Sequence, residues 1–440
     1  MSQKEVDTFT QKGYVDYESF GAKGDGSTDD IDAIAAAHLC ANKLNLPVKT
    51  KGDARYYISG KNRKAEIRTN TDFGTFTFII DDRFVEKVNE QVFVVNSTLK
   101  AVKLKGISSL KRNQAIIDAT FEGTTVISVT NNNVKRYIRF GPNQNNGTSQ
   151  TDVFVVDKNG NIDKNTPIIW DFEEISDITA LPIDETVLTI KGGKFETIAN
   201  AENQKTNYYS RGISVKRSNV VIDGMLHTVT REGQFGAPYM GFIAISECAF
   251  VTVQNTSFTG RKTYRKIGSA GVGVANATIR NSTLGHMGIN AIGEGLLLIE
   301  NTKVSSNRLI NFRDDYGSTW NGEVIIRNSE FTPTGNKLSS VNVIIGTNDG
   351  QHNFGYVCYM PERITIENLK INDANTSSNY KGPAILGNFN PKKSDAGYVE
   401  KFPYIVTKKL ILKNITTQSG KPFRISDNEF MFKDMKITNL

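Results

Sequence analysis

Cysteine is scarce in this sequence, which holds only Cys40, Cys248 and Cys358 among 440 residues. The three lie far apart and form no Cys-x-x-Cys pair, so the pattern argues against a disulfide framework and against a zinc site. We expect them to be buried thiols.

Long apolar runs are missing as well. No segment approaches the ~20 apolar residues of a membrane span, and the N-terminal MSQKEVDTFT has no apolar signal-peptide core. No GxSxG, P-loop, GxGxxG or HExxH motif occurs in a fitting context. We therefore expect no membrane span and none of the active sites that those motifs mark.

The positive charge has no dense focus. The formal net charge is +7 and the pI is about 9.0, yet the lysines are dispersed and accompany no recognisable nucleic-acid module. This argues against a nucleic-acid partner. The charge agrees with an acidic polymer such as a polyuronate, or simply with a basic, solvated surface.

A chain of this length is too long for one compact core, so it either splits into domains or repeats a short unit. From about residue 219 a repeat is visible: an alternating β-branched or aliphatic run ends in Asn or Asp, and another apolar residue follows. Successive marker residues are separated by 32, 26, 20, 27, 40, 46 and 20 residues, and they are Asp223, Asn255, Asn281, Asn301, Asn328, Asn368, Asn414 and Asp434.

This spacing predicts a solenoid with a basic coil of about twenty residues and loops of varying length, in which Asn occupies a turn with positive φ. We expect regular coils over 206–440. An antiparallel sandwich is the competing fold.

A glycine-rich loop, FGAKGDGSTDD, occupies residues 20–30 and precedes a helical pattern. Ser27 or Thr28 can cap the helix, which should run to about Asn42 and cover an open end of the coils, within an N-terminal cap over 1–60. Its apolar stripe is Ile31, Ile34, Ala35 and Leu39.

Over 61–205 the repeat is not legible. Short β-rich segments and a hairpin turn at residues 157–161 suggest an inserted β module there.

The segment from Phe20 to Asp30, with the helix after it, resembles the N-terminal signature of pectate-lyase-like β-helix proteins, which include polygalacturonases and phage tailspikes. This resemblance implies a single-stranded right-handed parallel β-helix with a capping helix. It also implies action on polysaccharide as a hydrolase or lyase, a trimer in phages, and an extracellular location, either secreted or on a virion tail. The order of the polygalacturonase catalytic motifs is not reproduced, because Asp314-Asp315 follows the Gly285-His286-Met287-Gly288 element and no Arg-Ile-Lys comes after it.

Stacked coils predict a pair of acids. Because Asn281 and Asn301 differ by 20, Ile289 would lie over Leu309, Ile292 over Phe312 and Glu294 over Asp314, one strand spacing (~4.8 Å) apart. Such a pair suits a retaining glycosidase or a calcium clamp of a lyase. Alternatively, both acids are exposed turn residues paired with Arg313 or a lysine.

Further candidates fall near the same levels of the coil. As catalytic residues we take Glu294 and Asp314 together with Asp315, His286, Lys262 and Tyr264, the last three as bases for β-elimination. As substrate-binding residues we take Arg231, Glu232, Arg308, Arg313, Tyr316 and Trp320. For the last, sugar stacking competes with folding back onto the solenoid.

The sequence thus favours a polysaccharide-degrading enzyme acting on an acidic glycan. The alternative is a non-catalytic glycan-binding or structural β-helix module of a tailspike, appendage or adhesin. No cofactor is expected apart from Ca²⁺ in the case of a lyase, and a homotrimer is the assembly that the resemblance implies.

Overall fold

The protein is described by a computed structural model that covers residues 3–50, 52–87, 90–136, 148–199, 211–231, 242–258, 267–268, 274–284, 288–289, 292–312, 319–344, 356–387 and 404–439. Within these residues, neither α-helix has the length and apolar composition that a membrane crossing needs.

The described helices lie near the two ends of the chain. Helix α1 spans Gln3–Lys12 and α2 spans Ile31–Leu44, while short 3₁₀ helices occupy Glu18–Phe20 and Glu429–Met431. The predicted capping helix is therefore confirmed as α2.

Two details of the capping-helix prediction are wrong. Ser27 and Thr28 do not cap α2, because both bond to Asp25 within a strand, and Asp30 takes the N-cap position. Leu39 is 65% exposed, since the face that packs on the coils is centred on Ile34, His38 and Ala41.

Short strands fill most of the remaining chain. The first eleven are β1 (Asp25–Asp29), β2 (Val48–Lys49), β3 (Arg55–Ile58), β4 (Ala65–Ile67), β5 (Thr71–Asp72), β6 (Thr77–Asp81), β7 (Phe93–Val95), β8 (Val102–Lys103), β9 (Thr125–Arg136), β10 (Thr148–Val156) and β11 (Asp177–Pro182). The next twelve are β12 (Leu188–Lys191), β13 (Lys194–Ile198), β14 (Ile213–Val215), β15 (Val220–Asp223), β16 (Leu226–Thr230), β17 (Ile243–Ile245), β18 (Cys248–Gln254), β19 (Ser257–Phe258), β20 (Ile267–Gly268), β21 (Val274–Arg280), β22 (Thr283–Leu284) and β23 (Gly288–Ile289). The last are β24 (Ile292–Glu300), β25 (Lys303–Ser306), β26 (Asn311–Phe312), β27 (Thr319–Pro333), β28 (Asn342–Ile344), β29 (Cys358–Tyr359), β30 (Arg363–Ile371), β31 (Ala384–Leu386), β32 (Tyr404–Ile405), β33 (Lys409–Thr417) and β34 (Lys436–Asn439).

Parallel pairing stacks these strands into three walls. Wall 1 contains β2, β5, β12, β15, β18, β21, β24, β27, β30, β33 and β34. Wall 2 contains β1, β3, β6, β13, β16, β19, β22, β25 and the ends of β27, β30 and β33. Wall 3 contains β4, β7, β14, β17 and β20, followed by the pairs β23–β26 and β28–β31.

The chain is therefore a single-stranded right-handed parallel β-helix with an N-terminal helix, as the sequence predicts.

Alternation along the wall 1 strands builds the core of the solenoid. In the wall 1 strands before β34, every second residue points inward and is fully or almost fully buried, as in Val251 and Val253, Leu297 and Ile299, and Leu410 and Leu412. The residues between them face outward, so the outer surface of wall 1 is available for other contacts.

Asparagine turns join wall 1 to wall 2. Asn301 Nδ2 donates to Asn281 Oδ1 at 3.1 Å, and Asn281 Nδ2 donates to Asn255 Oδ1 at 3.3 Å. Asn255, Asn281 and Asn301 all have φ near 50°, and the same pairing recurs between Asn368 and Asn328. The predicted stacking of Asn281 and Asn301 is confirmed.

A four-stranded antiparallel sheet leaves the solenoid between β7 and β12, and we call it the module. Its strands lie in the order β10-β9-β11-β8, and the predicted hairpin turn closes at Gly160, whose N–H donates to the carbonyl of Asp157. The module folds back onto the outer face of wall 1, where Val126, Val153 and Val155 pack on Ala249.

Candidate functional site

A groove with a cavity volume of about 870 Å³ lies between the module and the outer face of wall 1. The module contributes the turn Asp163–Pro167, and wall 1 contributes residues of β18, β21, β24, β27, β30 and β33. A cleft of this size can hold an extended ligand of several sugar units or a small peptide.

The floor of the groove is built from outward-facing residues of stacked strands. Thr252 lies in register with Thr278, and Ile325 lies two coils further on, in register with Leu298. The floor of the groove therefore combines hydroxyl groups with aliphatic side chains.

A bulge deforms wall 1 beside this floor. Phe250 has a φ of 60° and its side chain is 39% exposed. Two coils away, Gly295 has a φ of 72° and faces Gly322, whose φ is 137°. A Cβ on Gly322 would lie 2.4 Å from the carbonyl oxygen of Gly295, so only glycine fits there. An aromatic residue in a left-handed conformation is uncommon, and such strain concentrates at binding sites.

Cations outnumber carboxylates in the groove. The basic residues are Lys164, Arg363, Lys408 and Lys409, and the acidic residues are Asp163, Glu323 and Glu362. Arg363 pairs with Glu323 at 2.6 Å, and Lys408 pairs with Glu362 at 3.1 Å. Within the described chain, no carboxylate lies within ion-pair distance of Lys164 or Lys409.

The charges at the starts of the last wall 1 strands follow one another in register. Glu323 is followed by Arg363, then by Lys409 and finally by Lys436. We call these four residues the start column, and three cations stand consecutively in it.

The charges near the ends of wall 1 strands alternate instead. Glu300 pairs with Arg327 at 2.6 Å, and Glu367 pairs with Lys413 at 2.8 Å. The Lys413 ammonium lowers the pKa of Glu367. Opposite charges in register stabilise a sheet, whereas like charges destabilise it, so the start column is not explained by sheet stability.

Two carboxyl groups are buried directly behind the groove. Glu294 lies in β24 beside the groove residue Gly295, and its side chain, like that of Asp152 in β10, is fully buried. Burial raises the pKa of Asp152 to about 6. Burial, together with the nearby charge of Asp152, raises the pKa of Glu294 well above its usual value. A fully buried carboxyl group cannot touch a ligand in the groove.

The predicted register of the acid pair is wrong. Ile289 lies opposite Phe312, Ile292 opposite Thr319 and Glu294 opposite Asn321. Downstream of the Asn turn, the 20-residue offset holds for the first strand, where Thr283 lies opposite Lys303. Extra residues then shift the offset to 23 and to 27, so Glu294 does not stand over position 314.

The prediction that Trp320 stacks on sugars from the groove is also wrong. Its side chain is fully buried and points inward, as the side chains of Val324 and Ile326 on the same strand do. Its indole Nε1 donates to the carbonyl of Gly295 at 3.0 Å. Trp320 therefore belongs to the core of the solenoid.

The remaining predicted site residues fall into two groups, namely two that the structure describes and eight that it does not. Arg231 follows β16 with a φ of 53°, and Arg308 donates to the carbonyl of Asn307 at 2.6 Å; neither lines the groove. Eight candidates lie outside the residues whose side chains are described: Glu232, Lys262, Tyr264, His286, Arg313, Asp314, Asp315 and Tyr316.

Sequence reasoning missed the residues that do line the groove. One signal was available: aligned on their inward-facing residues, three successive repeats carry Glu323, Arg363 and Lys409 immediately before the apolar run. Phe250 has no comparable signal, because its exposure depends on the bulge. Within the described part of the chain, no three His, Cys, Asp or Glu side chains meet as metal ligands would.

No protein-family model matches the sequence. Among solved structures, the Pseudomonas phage phi297 tailspike has 12% identity, covers 97% of this chain and 84% of its own, and gives a TM-score of 0.38. The Streptococcus pneumoniae surface adhesin PfbA is 13% identical in sequence, and the match covers 97% of this chain and 99% of the adhesin chain, with a TM-score of 0.39.

The family 28 exopolygalacturonase of Yersinia enterocolitica is 11% identical in sequence, and the match covers 97% of this chain and 78% of the exopolygalacturonase chain, with a TM-score of 0.31. These likenesses concern the fold alone. The strand pairing of the chain itself shows that the fold is a right-handed parallel β-helix.

Proposed function

We propose that this protein binds an acidic polysaccharide in the groove between the module and wall 1. The observation that carries the proposal is the start column, in which Arg363, Lys409 and Lys436 stand on consecutive coils. Among the described residues, only Arg363 of these three has a carboxylate partner.

The spacing of the start column favours a polymer over a small anion. Successive coils are ~4.8 Å apart, so unpaired cations at this spacing repel one another unless an anion lies along them. A chain of charged sugars placed along the solenoid axis would offer such anions at several coils. Lys164 on the module faces the same groove from the opposite side.

Phe250 supports a sugar ligand in particular. Its exposed ring borders the groove beside the threonines of the floor. Aromatic faces pack against the apolar faces of pyranose rings, and hydroxyl groups can hydrogen-bond to the sugar hydroxyls. The groove thus combines charge recognition with a stacking surface.

Cleavage of the bound glycan is the second candidate function, and it is favoured by the carboxylates that line the same groove. Asp163 is the one of these that forms no ion pair with a described residue, and its Oδ1 accepts the backbone N–H of Asn165 at 2.9 Å. A carboxylate free of a cationic partner can act as an acid, a base or a nucleophile on a glycosidic bond. Asp314, Asp315, Lys262, Tyr264 and His286 stay sequence predictions for such a role.

Binding is tested with Lys409→Gln. Dissociation constants would be measured by calorimetry on polygalacturonate, alginate and hyaluronan, with dextran as a neutral glycan. Loss of one charge-assisted contact at a half-exposed site amounts to roughly 1 kcal/mol, so the affinity for the acidic ligand should fall about fivefold. Added salt should weaken the wild-type affinity.

Lys413→Gln is the matched control, because Lys413 lies on the same strand but is already paired with Glu367. Its affinity should equal that of the wild type. Equal losses in both variants, or binding of dextran alone, would contradict the proposal.

Cleavage is read in the same samples. Reducing ends without absorbance of unsaturated uronates would identify a hydrolase, and both signals together would identify a lyase. If Asp163 takes part, Asp163→Asn should abolish the signal while the glycan still binds. A bound glycan that stays intact would identify a binding module.

A further inference from the structure

Asp152 and Glu294 meet where the module is pressed against wall 1. Asp152 belongs to β10 of the module and Glu294 to β24 of the solenoid, and the two strands contact each other. Glu294 is at an outward-facing position of wall 1, yet it is fully buried because the module covers it.

The hydrogen bonds around the pair are unequal. Asp152 accepts the backbone N–H groups of Val153 at 2.8 Å and Ile169 at 2.7 Å. Neither carboxyl oxygen of Glu294 receives a hydrogen from any donor of the described chain. The remaining hydrogen bond open to Glu294 is one in which its own proton goes to Asp152.

The charged groups around the pair do not compensate two negative charges. Among the described residues, Arg112 faces Asp152 from the module, and its guanidinium lies 4.3 Å from the centre of the Tyr359 ring. Asp163 faces Glu294 from the groove side and adds a negative charge. Two ionised carboxylates in a fully buried contact would repel each other strongly, so one proton must stay with the pair.

We propose that Asp152 and Glu294 share one proton, and that this proton holds the module on wall 1 and thereby sets the width of the groove. The proton resides on Glu294, since the two backbone N–H groups stabilise the negative charge on Asp152. When Glu294 loses it to solvent, the module separates from the wall at this point.

The direction of the pH dependence follows from the raised pKa values. Glu294, and at lower pH Asp152 as well, holds a proton in the docked protein that it would release once exposed to water, so the docked state is favoured at low pH. Docking weakens as pH rises: Asp152 ionises near pH 6, and the contact fails only at the higher pH where Glu294 also ionises.

Trp170 offers a direct report of docking. Its indole Nε1 donates to the carbonyl of Val357 in the solenoid at 2.5 Å, and its ring packs edge-on against Tyr356 at 5.2 Å. The protein has only one other tryptophan, Trp320, which lies in the core next to Gly295. Separation of the module would expose Trp170 and shift its emission to longer wavelengths.

The experiment is a pH titration of tryptophan emission and acrylamide quenching between about pH 5 and about pH 10, a range that begins below the raised pKa of Asp152. The wild type should show a reversible red shift at the higher pH where Glu294 ionises, and not at the pH near 6 where Asp152 ionises. Glu294→Gln keeps a neutral donor for Asp152 and should remove the shift. Glu300→Gln, on the same strand but paired with Arg327, should retain it.

Two results would overturn the proposal: a wild type whose emission stays constant over the whole range, or a Glu294→Gln protein that shifts as the wild type does. The wild-type titration decides the first even if the variant does not fold. The emission titration needs no glycan, so it stands apart from the proposed function. A second expectation does rest on the proposed function: above the pH of the emission change, the affinity for the acidic glycan should fall. An unchanged affinity there would refute the proposal that the proton sets the width of the groove.

Discussion

Substitution of Trp320 tests whether this residue lies in the core, as the structure shows, or stacks on sugars, as the sequence suggested. A tryptophan that lines a groove would lose ligand binding on substitution and leave stability nearly unchanged. A tryptophan inside the solenoid would do the opposite. Trp320→Ala and Trp320→Phe therefore distinguish the two positions with one pair of measurements.

The size of the effect follows from burial and from one hydrogen bond. Trp320 is fully buried, and removal of a large aromatic side chain from a core costs roughly 3–5 kcal/mol. The carbonyl of Gly295 also loses the indole donor, which adds about 1 kcal/mol. Phenylalanine refills most of the volume without the donor, so Trp320→Phe should cost about 1–2 kcal/mol.

Urea unfolding followed by circular dichroism measures these losses as shifts of the transition midpoint. Midpoints are compared rather than extrapolated free energies, because long repeat proteins depart from two-state unfolding. Phe250→Ala is the control: its ring is 39% exposed, so its midpoint should stay close to the wild type while its glycan affinity falls. A Trp320→Ala protein with a wild-type midpoint and lost binding would refute the core assignment.

Two further substitutions test the turns of the solenoid by thermal unfolding. Asn301→Gly keeps access to a φ of 48° but removes the hydrogen bond to Asn281, so it should lower stability by less than Asn301→Ala, which also introduces about 1 kcal/mol of backbone strain; equal losses would contradict this account of the ladder. Gly322→Ala should cost at least ~2 kcal/mol because of its contact with Gly295 and its φ of 137°. Gly420→Ala, with a φ of 69° and open space around its Cβ, should cost clearly less; similar losses at the two glycines would show that the close contact does not matter.

The sequence predicted the solenoid because its periodicity is local. From β18 to β33 each wall 1 strand carries its own alternation, and the turn that follows the alternating residues carries an asparagine whose φ near 50° few other residues tolerate. The coil that turns at Gly192 was not recognised, because glycine marks many other kinds of turn. In the next coil the turn is held by Gly224, one residue after the predicted marker Asp223, which lies in register with Gln254. The parallel fold is therefore predicted by the asparagine that recurs at the turn and by the apolar residues on either side of it.

The register between neighbouring coils is harder to predict from nearby residues than the turn at which each coil begins. Asn281 and Asn301 stack as predicted, yet the two coils diverge within a few residues because loops enter at the corners between walls. A count from the asparagine therefore becomes unreliable after the first corner. A count backwards from the next apolar strand would have placed Glu294 opposite Asn321.

The partner of Glu294 lay beyond any periodic argument. Asp152 comes from an antiparallel sheet inserted far upstream, and its position depends on how that sheet folds back over wall 1. The sequence around Glu294 nevertheless indicates that another part of the chain covers this position. It stands between Gly293 and Gly295, before an apolar run that includes Leu296 and Leu298 on the outer face. Apolar residues at outward positions of a solenoid wall indicate that something covers them, and a carboxyl group at such a position must find either a cation or a proton.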